Sequence, residues 1–389
     1  MNARTNVVRG AAVAAILLLA AGLAAAQQPY RMPPRVVVEM LDAAPPPATI
    51  VSPDRTWLLL ADRAAMPTIA DLSQPMLRLA GDRINPATNG PFRAVSYTGL
   101  RLKQIADGAE RAIQTPPGAK IGYPTWSPDG GQIAFTVTAA NGIAQWVASV
   151  ATGQAQALTD AVLNATAGAP CDWMPDATEL LCQFIPEGRG VAPATSRVPA
   201  GPHVQTAEGR STGAPTYQDL LQNPDDERSF DYYYTARLGR VNVATRAVAW
   251  LGEPGIYDRV DASPNGQFLL VERVQRPYSY TIPSNLFPHT LQVWDRDGRL
   301  VRRIADVPLG ERIPQRGVRT GPRALQWRAG KPSQLLWAEA LDGGDPRKKV
   351  PQRDRVMWVK APFTGQPAEL VKTEHRYAVM GKSQSLAWR

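Results

Sequence analysis

The stretch Trp126-Ser127-Pro128-Asp129-Gly130, followed at once by an apolar run over 133–137, decides the fold. Proline fixes the backbone φ angle that the second position of a tight turn requires. Aspartate adopts the conformation of the third position readily, and glycine is favoured at the last position. The stretch therefore predicts a tight turn between two antiparallel strands. Related turns, each before a short apolar strand, recur at 52–54, 173–176, 262–266 and 327–328, and the chain stops on a last copy at 387–389.

A second recurrent turn closes each repeating unit. Val150-Ala151-Thr152-Gly153 precedes an apolar run, and similar turns stand at 243–246, 294–298 and 362–365. Two hairpins per unit make a four-stranded antiparallel blade. Successive turns of the first kind lie about 47 to about 89 residues apart, against roughly 40 to 50 for an ordinary blade. The repeats predict an all-β propeller with insertions. The alternative, an all-β sandwich, would not repeat one turn before one strand.

The composition favours a β-rich chain. Proline occupies 36 of 389 positions, which favours short elements between turns over long helices. The formal net charge is +9, but the densest basic run, 347–355, also contains acidic residues, so we interpret it as a solvated loop and expect no nucleic-acid partner. The three histidines and two cysteines show no metal-ligand spacing. We therefore expect no metal and no cofactor.

The first residues have the pattern of a signal peptide. Arg4 and Arg9 precede an apolar run over 11–24, and small residues follow it. The run has about 14 residues, fewer than the roughly 20 that a membrane-spanning helix needs. We predict a signal peptide over 1–26, cleavage before Gln27, and a periplasmic or secreted domain over 27–389 with no membrane span. The alternative is an uncleaved membrane anchor.

The two cysteines, Cys171 and Cys182, lie on either side of a turn around Pro175 and Asp176. Disulfides persist in exported proteins. A cross-strand bridge forms here only if the hairpin register places the two residues opposite each other. The sequence leaves that register open.

Two long stretches, 66–99 and 186–234, interrupt the repeats, and ordered motifs lie in them and beyond them. The motifs are Leu77-Arg78-Leu79-Ala80-Gly81 with Arg83-Ile84-Asn85-Pro86 and Thr88-Asn89-Gly90; Tyr97-Thr98-Gly99-Leu100; Thr216-Tyr217-Gln218-Asp219-Leu220-Leu221; Arg276-Pro277-Tyr278-Ser279-Tyr280; and Glu339-Ala340-Leu341-Asp342-Gly343-Gly344-Asp345. Each motif alone is weak, but the ordered set is specific. With it the sequence resembles the bacterial and chloroplast glutamyl endopeptidases, a branch of the prolyl oligopeptidase family of serine peptidases.

The resemblance implies a two-part enzyme. An N-terminal propeller, expected to have seven or eight blades, filters access, and a C-terminal α/β-hydrolase domain carries a Ser-Asp-His triad that cleaves peptides after glutamate. The present sequence contains about five blades and stops at Arg389 without the hydrolase domain. We therefore expect an incomplete propeller with no catalytic residue in this chain, and the sequence leaves open whether the chain is an enzyme.

Four residues are our candidates for substrate contact: Arg273, Arg276, Tyr278 and Tyr280. A guanidinium group can bind a carboxylate through two hydrogen bonds, and tyrosines can line a pore while offering hydroxyl groups. The alternative is that Tyr278 and Tyr280 pack between blades.

Two patterns that suggest catalysis are better explained as loops. Gly209-Arg210-Ser211-Thr212-Gly213 fits the G-x-S-x-G pattern of a nucleophile elbow, but its flanking residues predict neither the strand before it nor the helix after it. The acidic run Asp225-Asp226-Glu227 lacks the alternating spacing of a calcium site, and we expect it in a surface loop.

Two functions fit these observations. In the first, the chain is the propeller of an exported endopeptidase, admitting peptide substrates to a hydrolase domain that belongs to the same protein. In the second, it is a free-standing periplasmic propeller that binds a protein or peptide without catalysis.

Overall fold

The computed structural model describes residues 32–194 and 217–378. The signal peptide predicted over 1–26, the sequence 209–213 and the last turn at 387–389 lie outside the described residues. The chain divides into two compact units, Met1–Pro45 and Pro46–Arg389. The first contains helix α1 (Arg35–Asp42), which has no buried residue. Among the helices that the structure describes, none is long and apolar enough to span a membrane.

The second unit consists mainly of strands. They are β1 (Ala48–Val51), β2 (Trp57–Asp62), β3 (Leu77–Leu79), β4 (Asp82–Asn85), β5 (Gly90–Pro91), β6 (Gly99–Gln104), β7 (Glu110–Ala112), β8 (Lys120–Trp126), β9 (Gln132–Ala139), β10 (Gly142–Ser149), β11 (Ala155–Ala157), β12 (Cys171–Trp173), β13 (Glu179–Phe184), β14 (Thr235–Asn242), β15 (Val248–Ala262), β16 (Phe268–Val274), β17 (His289–Asp295), β18 (Leu300–Val307), β19 (Arg323–Trp327), β20 (Gln334–Ala340), β21 (Asp354–Lys360) and β22 (Ala368–Thr373). Two α-helices, α2 (Ile69–Leu72) and α3 (Pro224–Tyr234), and a 3₁₀ turn at Ser284–Leu286 complete the described elements.

The strands form five successive four-stranded antiparallel blades. Blade 1 contains β1, β2, β6 and β7, blade 2 contains β8 to β11, and blade 5 contains β19 to β22. Blades 3 and 4 share the long strand β15, whose first part pairs with β14 and whose second part pairs with β16. Strands β12 to β18 therefore form one continuous sheet. This repeated meander is the blade topology of a propeller, and the predicted all-β propeller class is confirmed.

A buried serine organises the recurrent turn. The Ser127 hydroxyl accepts a hydrogen bond from the Gln132 N–H at 2.9 Å and donates one to Asp129 at 2.5 Å. Ser52 and Ser263 make the same pair of contacts at the turns of blades 1 and 4. The hydroxyl satisfies a strand N–H that a tight turn would leave without a partner. This explains why serine precedes proline in the repeat.

Neighbouring blades pack face to face through buried apolar side chains. Four clusters join the blades in chain order, and representative pairs are Leu59 with Phe135, Ile143 with Phe184, Leu238 with Leu269, and Leu291 with Trp337. Each such side chain contributes about 1.5–3 kcal/mol when fully buried. Two of the recurrent tryptophans also donate to the preceding blade, Trp126 to the Ile50 carbonyl at 3.2 Å and Trp327 to the Asp261 carbonyl at 3.0 Å.

The cysteines lie opposite each other in blade 3. The register of β12 and β13 pairs Cys171 with Cys182, and the structure joins them by a disulfide. Both residues are buried against blade 2.

A network of buried ions holds the end of the described chain to blade 5. The side chains of Asp342 and Asp354 are both fully buried. Arg376 bridges them, with 2.5 Å to Asp342 and 2.9 Å to Asp354, and Arg353 and Arg323 complete the network. Burial opposes ionisation of both carboxyl groups, but hydrogen bonds from the arginines outweigh it and hold each pKa below its ordinary value.

We predict that Asp354→Asn costs about 3–5 kcal/mol of unfolding free energy at pH 7, because it leaves the partly buried guanidinium groups of Arg323 and Arg376 without their carboxylate. A carboxyl group with a lowered pKa in the folded state stabilises above its unfolded pKa of about 3.9, and this contribution is lost as the pH falls through the folded pKa. The variant should therefore lose less stability than the parent on acidification below about pH 4.

Denaturant unfolding between pH 3 and pH 7 tests this prediction. Asp306→Asn is the matched control, because Asp306 is 61% exposed and pairs with the exposed Arg303 three residues away. The control should change stability by less than about 0.5 kcal/mol. Equal losses in the two variants would contradict the assigned role of the network.

Candidate functional site

The two long insertions meet over blade 4. The first is built on the small sheet β3-β4-β5 and the second on α3. Their buried side chains form one apolar cluster with residues of β15, β16 and the segment before β17, which we call the insert cluster. Its buried members are Leu79, Ala80, Ile84, Leu221, Phe230, Tyr233, Tyr234, Ile256, Val274, Ile282 and Phe287.

Helix α3 begins where the sequence analysis expected a loop. The Asn223 side chain accepts hydrogen bonds from the N–H groups of Asp225 and Asp226, each at 2.9 Å, and Pro224 occupies the first helical turn. The acidic run lies in that turn, where it interacts favourably with the helix dipole. The expectation of a surface loop at Asp225–Glu227 was wrong because the Asn-Pro start signal was overlooked.

Polar contacts join the two insertions directly. The Asp219 carboxylate accepts a hydrogen bond from Arg83 Nε at 2.6 Å, and its carbonyl accepts one from the Gly81 N–H at 2.9 Å. Arg189 donates to the Asn89 side chain at 2.6 Å. These contacts tie the second insertion to β4 and to the turns on either side of it.

A cavity of about 860 Å³ lies between the insertions and blade 4. Its walls combine carboxyl groups, aromatic rings and backbone. The lining residues are Ala80, Gly81, Asp82, Arg83, Pro91, Thr166, Ala167, Gly168, Tyr217, Gln218, Asp219, Phe230, Tyr234, Ile256, Tyr257, Asp258, Val274, Pro283, Ser284 and Asn285.

The pKa of one carboxyl group of the cavity wall, Asp82, is raised above its ordinary value. Desolvation raises the pKa of Asp82, the Tyr234 hydroxyl opposes this by donating a hydrogen bond at 3.2 Å, and the negative charge of Asp258 raises the pKa further. Burial raises the pKa of Tyr234 well above its ordinary value. Asp82 is therefore a carboxyl group that a positive charge would stabilise in its ionised form.

A smaller cavity of about 260 Å³ shares Asp258 and Asn285 with the large one. His289 is buried there, with Nδ1 2.6 Å from the Phe287 carbonyl and Nε2 3.6 Å from the Asp258 carboxylate. Arg319 donates to the same carbonyl at 2.9 Å. Burial raises the pKa of Glu272, which also lines this cavity, although Arg259 lies nearby.

Three of the four residues nominated for substrate contact hold α3 in place. Arg276 binds both Glu227 and Asp231 at 2.5 Å, Tyr278 donates to Asp231, and Tyr280 donates to Glu227 at 2.9 Å. Tyr278 also packs in the insert cluster, while the Tyr280 side chain is exposed.

The fourth nominated residue, Arg273, lies 5.3 Å from the Tyr257 ring and donates to the Pro254 carbonyl at 3.3 Å. None of the four nominated residues is among the described residues that line either cavity.

The sequence analysis missed the acidic residues of the cavity. Asp82 and Asp219 lie beside or within the quoted motifs, so the motifs themselves could have nominated them. Asp258 had no such signal, because it lies inside a long strand without a motif. Within residues 32–194 and 217–378, no group of three His, Cys, Asp or Glu side chains is arranged to hold a metal ion.

We predict that Arg276→Met loosens α3 without unfolding the blades. Partly exposed ion pairs contribute about 1 kcal/mol or less, so amide hydrogen exchange within Pro224–Tyr234 should become up to about fivefold faster. Exchange measured by mass spectrometry tests this. The matched control is Arg228→Met on the same helix, whose partner Asp225 lies one turn away. Similar acceleration in both variants, or acceleration throughout the blades, would refute the assigned role of Arg276.

Comparison with known proteins reveals two curated relatives. The chain is 39% identical over 357 residues to the probable chloroplastic glutamyl endopeptidase of Arabidopsis thaliana, covering 87% of this chain and 37% of the relative. It is 36% identical over 359 residues to the protein of the same name from Oryza sativa subsp. japonica, covering 87% of this chain and 38% of the relative. The chain thus spans less than two-fifths of the length of these relatives.

Among solved structures, the chain is similar to the β-propeller domain of the Trilobed protease from Pyrococcus furiosus, with a TM-score of 0.40 and 12% identity, covering 84% of this chain and 70% of that one. No protein-family model matches the chain. The sequence identity to the two plant proteins confirms the resemblance inferred from the motifs. Over 87% of its length the chain is a relative of the glutamyl endopeptidases.

Proposed function

We propose that this chain is the substrate-gating propeller part of an exported serine endopeptidase of the glutamyl endopeptidase kind. One observation carries the proposal: motifs far apart in the sequence converge on one cavity. Gly81 and Arg83 come from the first insertion and Tyr217 and Asp219 from the second, and all four line the cavity. Tyr278, from a third motif, packs beneath α3. Such convergence is expected of a site that contacts a ligand.

The dimensions of the cavity suit a peptide segment. Its volume of about 860 Å³ lies within the roughly 300–1,000 Å³ of typical ligand sites. A folded domain is far too large to enter, so only flexible chain segments reach the walls. Because the insertions are held by Asp219 and by Arg276, they form a fixed filter on peptide size.

Bond cleavage belongs, in this proposal, to an α/β-hydrolase domain with a Ser-Asp-His triad in the same protein. Cleavage after glutamate is likewise proposed for the whole protein, by analogy with the names of the relatives. The alignments support a further domain, because they cover 37% and 38% of the length of the two relatives. The remaining length of a relative is ample for a catalytic domain.

Export is supported by two features. Residues 1–26 have the pattern of a signal peptide, and Cys171 and Cys182 form the kind of bond that persists in oxidising compartments. The relatives are named as chloroplastic. We propose a periplasmic or secreted location for the protein that carries this chain.

The proposal is tested first on the protein made by its source organism, recovered with an antibody against this segment. We predict an intact mass of more than twice the 42.2 kDa of this chain, and cleavage of a fluorogenic peptide after glutamate but not after glutamine at the same position. A serine-directed phosphonate should abolish the cleavage. An intact mass that matches residues 27–389 would overturn the proposal in favour of a free-standing binding propeller.

A second prediction concerns gating. In the whole enzyme, Gln218→Trp should narrow the cavity and lower kcat/KM for an eight-residue peptide about tenfold, with little change for a single-residue chromogenic substrate. Gln267→Trp is the control, because Gln267 is exposed on the Ser263 turn and lines neither cavity. Equal effects on long and short substrates would show that the cavity does not filter peptides.

A further inference from the structure

Three distant parts of the chain meet at one backbone carbonyl. They are the Thr88-Asn89-Gly90 turn of the first insertion, the segment between β11 and β12, and the last turn of α3. The Tyr233 carbonyl of α3 accepts hydrogen bonds from Asn89 Nδ2 at 3.1 Å and from Asn164 Nδ2 at 2.9 Å. Both asparagines are almost fully buried, with exposed fractions of 2% and 3%. We call the two asparagine side chains and this carbonyl the amide node.

The amide node closes the C-terminal end of α3. The last four carbonyl groups of a helix have no partner within the helix, and they need other donors where they are buried. The last turn of α3 contains no basic residue. Other segments supply the donors, since Arg189 donates to the Tyr232 carbonyl at 3.3 Å and the two asparagines donate to the Tyr233 carbonyl. The position of this helix end therefore depends on residues far away in the sequence.

Asn164 uses the full hydrogen-bonding capacity of its amide group. Its Nδ2 also donates to the Thr235 carbonyl at 3.0 Å, and its Oδ1 accepts from the Thr166 hydroxyl at 2.7 Å and from the Thr166 N–H at 3.2 Å. An asparagine side chain offers two donor hydrogens and one acceptor oxygen. Aspartate has the same shape but no donor, so it cannot bind the two carbonyls. The chemistry of the node therefore specifies asparagine at this position.

The turn that carries Asn89 is held against blade 2. The Ala165 N–H donates to the Asn89 carbonyl at 2.9 Å. At the next position, Gly90, a Cβ atom would lie 2.5 Å from Ile143 Cδ1, so that any side chain there would displace Ile143. Asn89 itself has a φ of 53°, which asparagine adopts more readily than most residues. The turn thus contacts both blade 2 and α3.

The amide node adjoins the wall of the large cavity. Thr166, which donates to Asn164, lines the cavity, and so does Tyr234, the residue after the node carbonyl. Pro91 of the first insertion also lines it, two residues after Asn89. Among the described residues that line the two cavities, neither asparagine is present. The separation of these three wall segments is therefore set by hydrogen bonds made outside the cavity.

We propose that Asn89 and Asn164 are positioning residues for the peptide site. They hold the wall segments of the first insertion, of α3 and of the segment before β12 at one fixed separation. A peptide that extends into the cavity then meets a wall that is already in place, and binding does not have to order it. Neither asparagine contacts the peptide, because both act through the wall residues. The inference rests on the proposed function for the statement that the ligand is a peptide.

Asn164→Ala in the whole enzyme tests this role. The Michaelis constant KM of an eight-residue peptide should rise about fivefold, with kcat changed less than about twofold, because a displaced wall loses binding that the substrate and the transition state share. The kinetics of a single-residue chromogenic substrate should not change. A purely structural role would instead lower the folded fraction, and with it the apparent kcat for both substrates. Amide hydrogen exchange in the last turn of α3 should become faster, while exchange in the blades stays the same.

Gln145→Ala is the matched control. Gln145 is 2% exposed, and its Nε2 donates to the carbonyls of Phe135 and Trp146 at 3.0 Å and 3.2 Å within blade 2. The control removes the same kind of buried amide and leaves two carbonyls without it, but Gln145 is not among the described residues that line either cavity. The KM of both substrates should change less than about twofold.

A second variant, Asn89→Asp, keeps the test decisive if Asn164→Ala does not fold. Aspartate preserves the shape of the side chain and its contact with Arg189, but it removes the donor to the Tyr233 carbonyl. The KM of the eight-residue peptide should rise about threefold, again without a change for the short substrate.

The outcomes separate this inference from the proposed function. Equal changes of KM in Asn164→Ala and Gln145→Ala, or an unchanged KM in every folded asparagine variant, would overturn the positioning role and leave the proposed function standing. If the parent enzyme cleaves neither substrate, the proposed function is refuted, and the inference with it.

Discussion

The burial of the apolar faces of the blades is the constraint on which the structure depends. A four-stranded antiparallel sheet with an apolar face is not stable alone in water, so each blade must pack against a neighbour. Four apolar clusters join the five described blades in chain order, so that blades 2, 3 and 4 each pack against two neighbours. Hydrogen bonds from Trp126 and Trp327 to the preceding blade add polar contacts at two of these four junctions. The serine-centred turns join adjacent strands tightly enough for them to pair as an antiparallel hairpin.

The two insertions pack on the blades and form much of the candidate site. The first insertion lies between β2 and β6 in the sequence, and the second lies between β13 and β14. Both pack against blade 4 through the insert cluster. Because that cluster is apolar and continuous with β15 and β16, the polar groups above it are held in fixed positions. The two insertions and the segment before β17 supply most of the cavity lining, while β15 and β16 supply Ile256, Tyr257, Asp258 and Val274. This division is common in proteins whose loops carry function on a rigid scaffold.

Charge is distributed unevenly between support and site. Arginines neutralise the acidic residues that hold elements together, as at Asp219, Asp231 and Asp342. Asp82 and Asp258 line the cavity with other neighbours, the Tyr234 hydroxyl for Asp82 and His289 Nε2 for Asp258.

The sequence by itself determined the fold class and the family resemblance. Repeated turns such as Ser127-Pro128-Asp129 are local signals, because the serine, proline and aspartate act within five residues of one another. The ordered motifs are also visible in the sequence, and they were sufficient to infer the family resemblance. Only the tertiary structure brought Asp82, Asp219 and Asp258 to one cavity, since that juxtaposition depends on contacts between residues more than a hundred positions apart. The tertiary structure also pairs Arg276 with Glu227 and Asp231 of α3. The sequence could not predict these ion pairs, because tertiary packing determines which carboxylates lie near a guanidinium group.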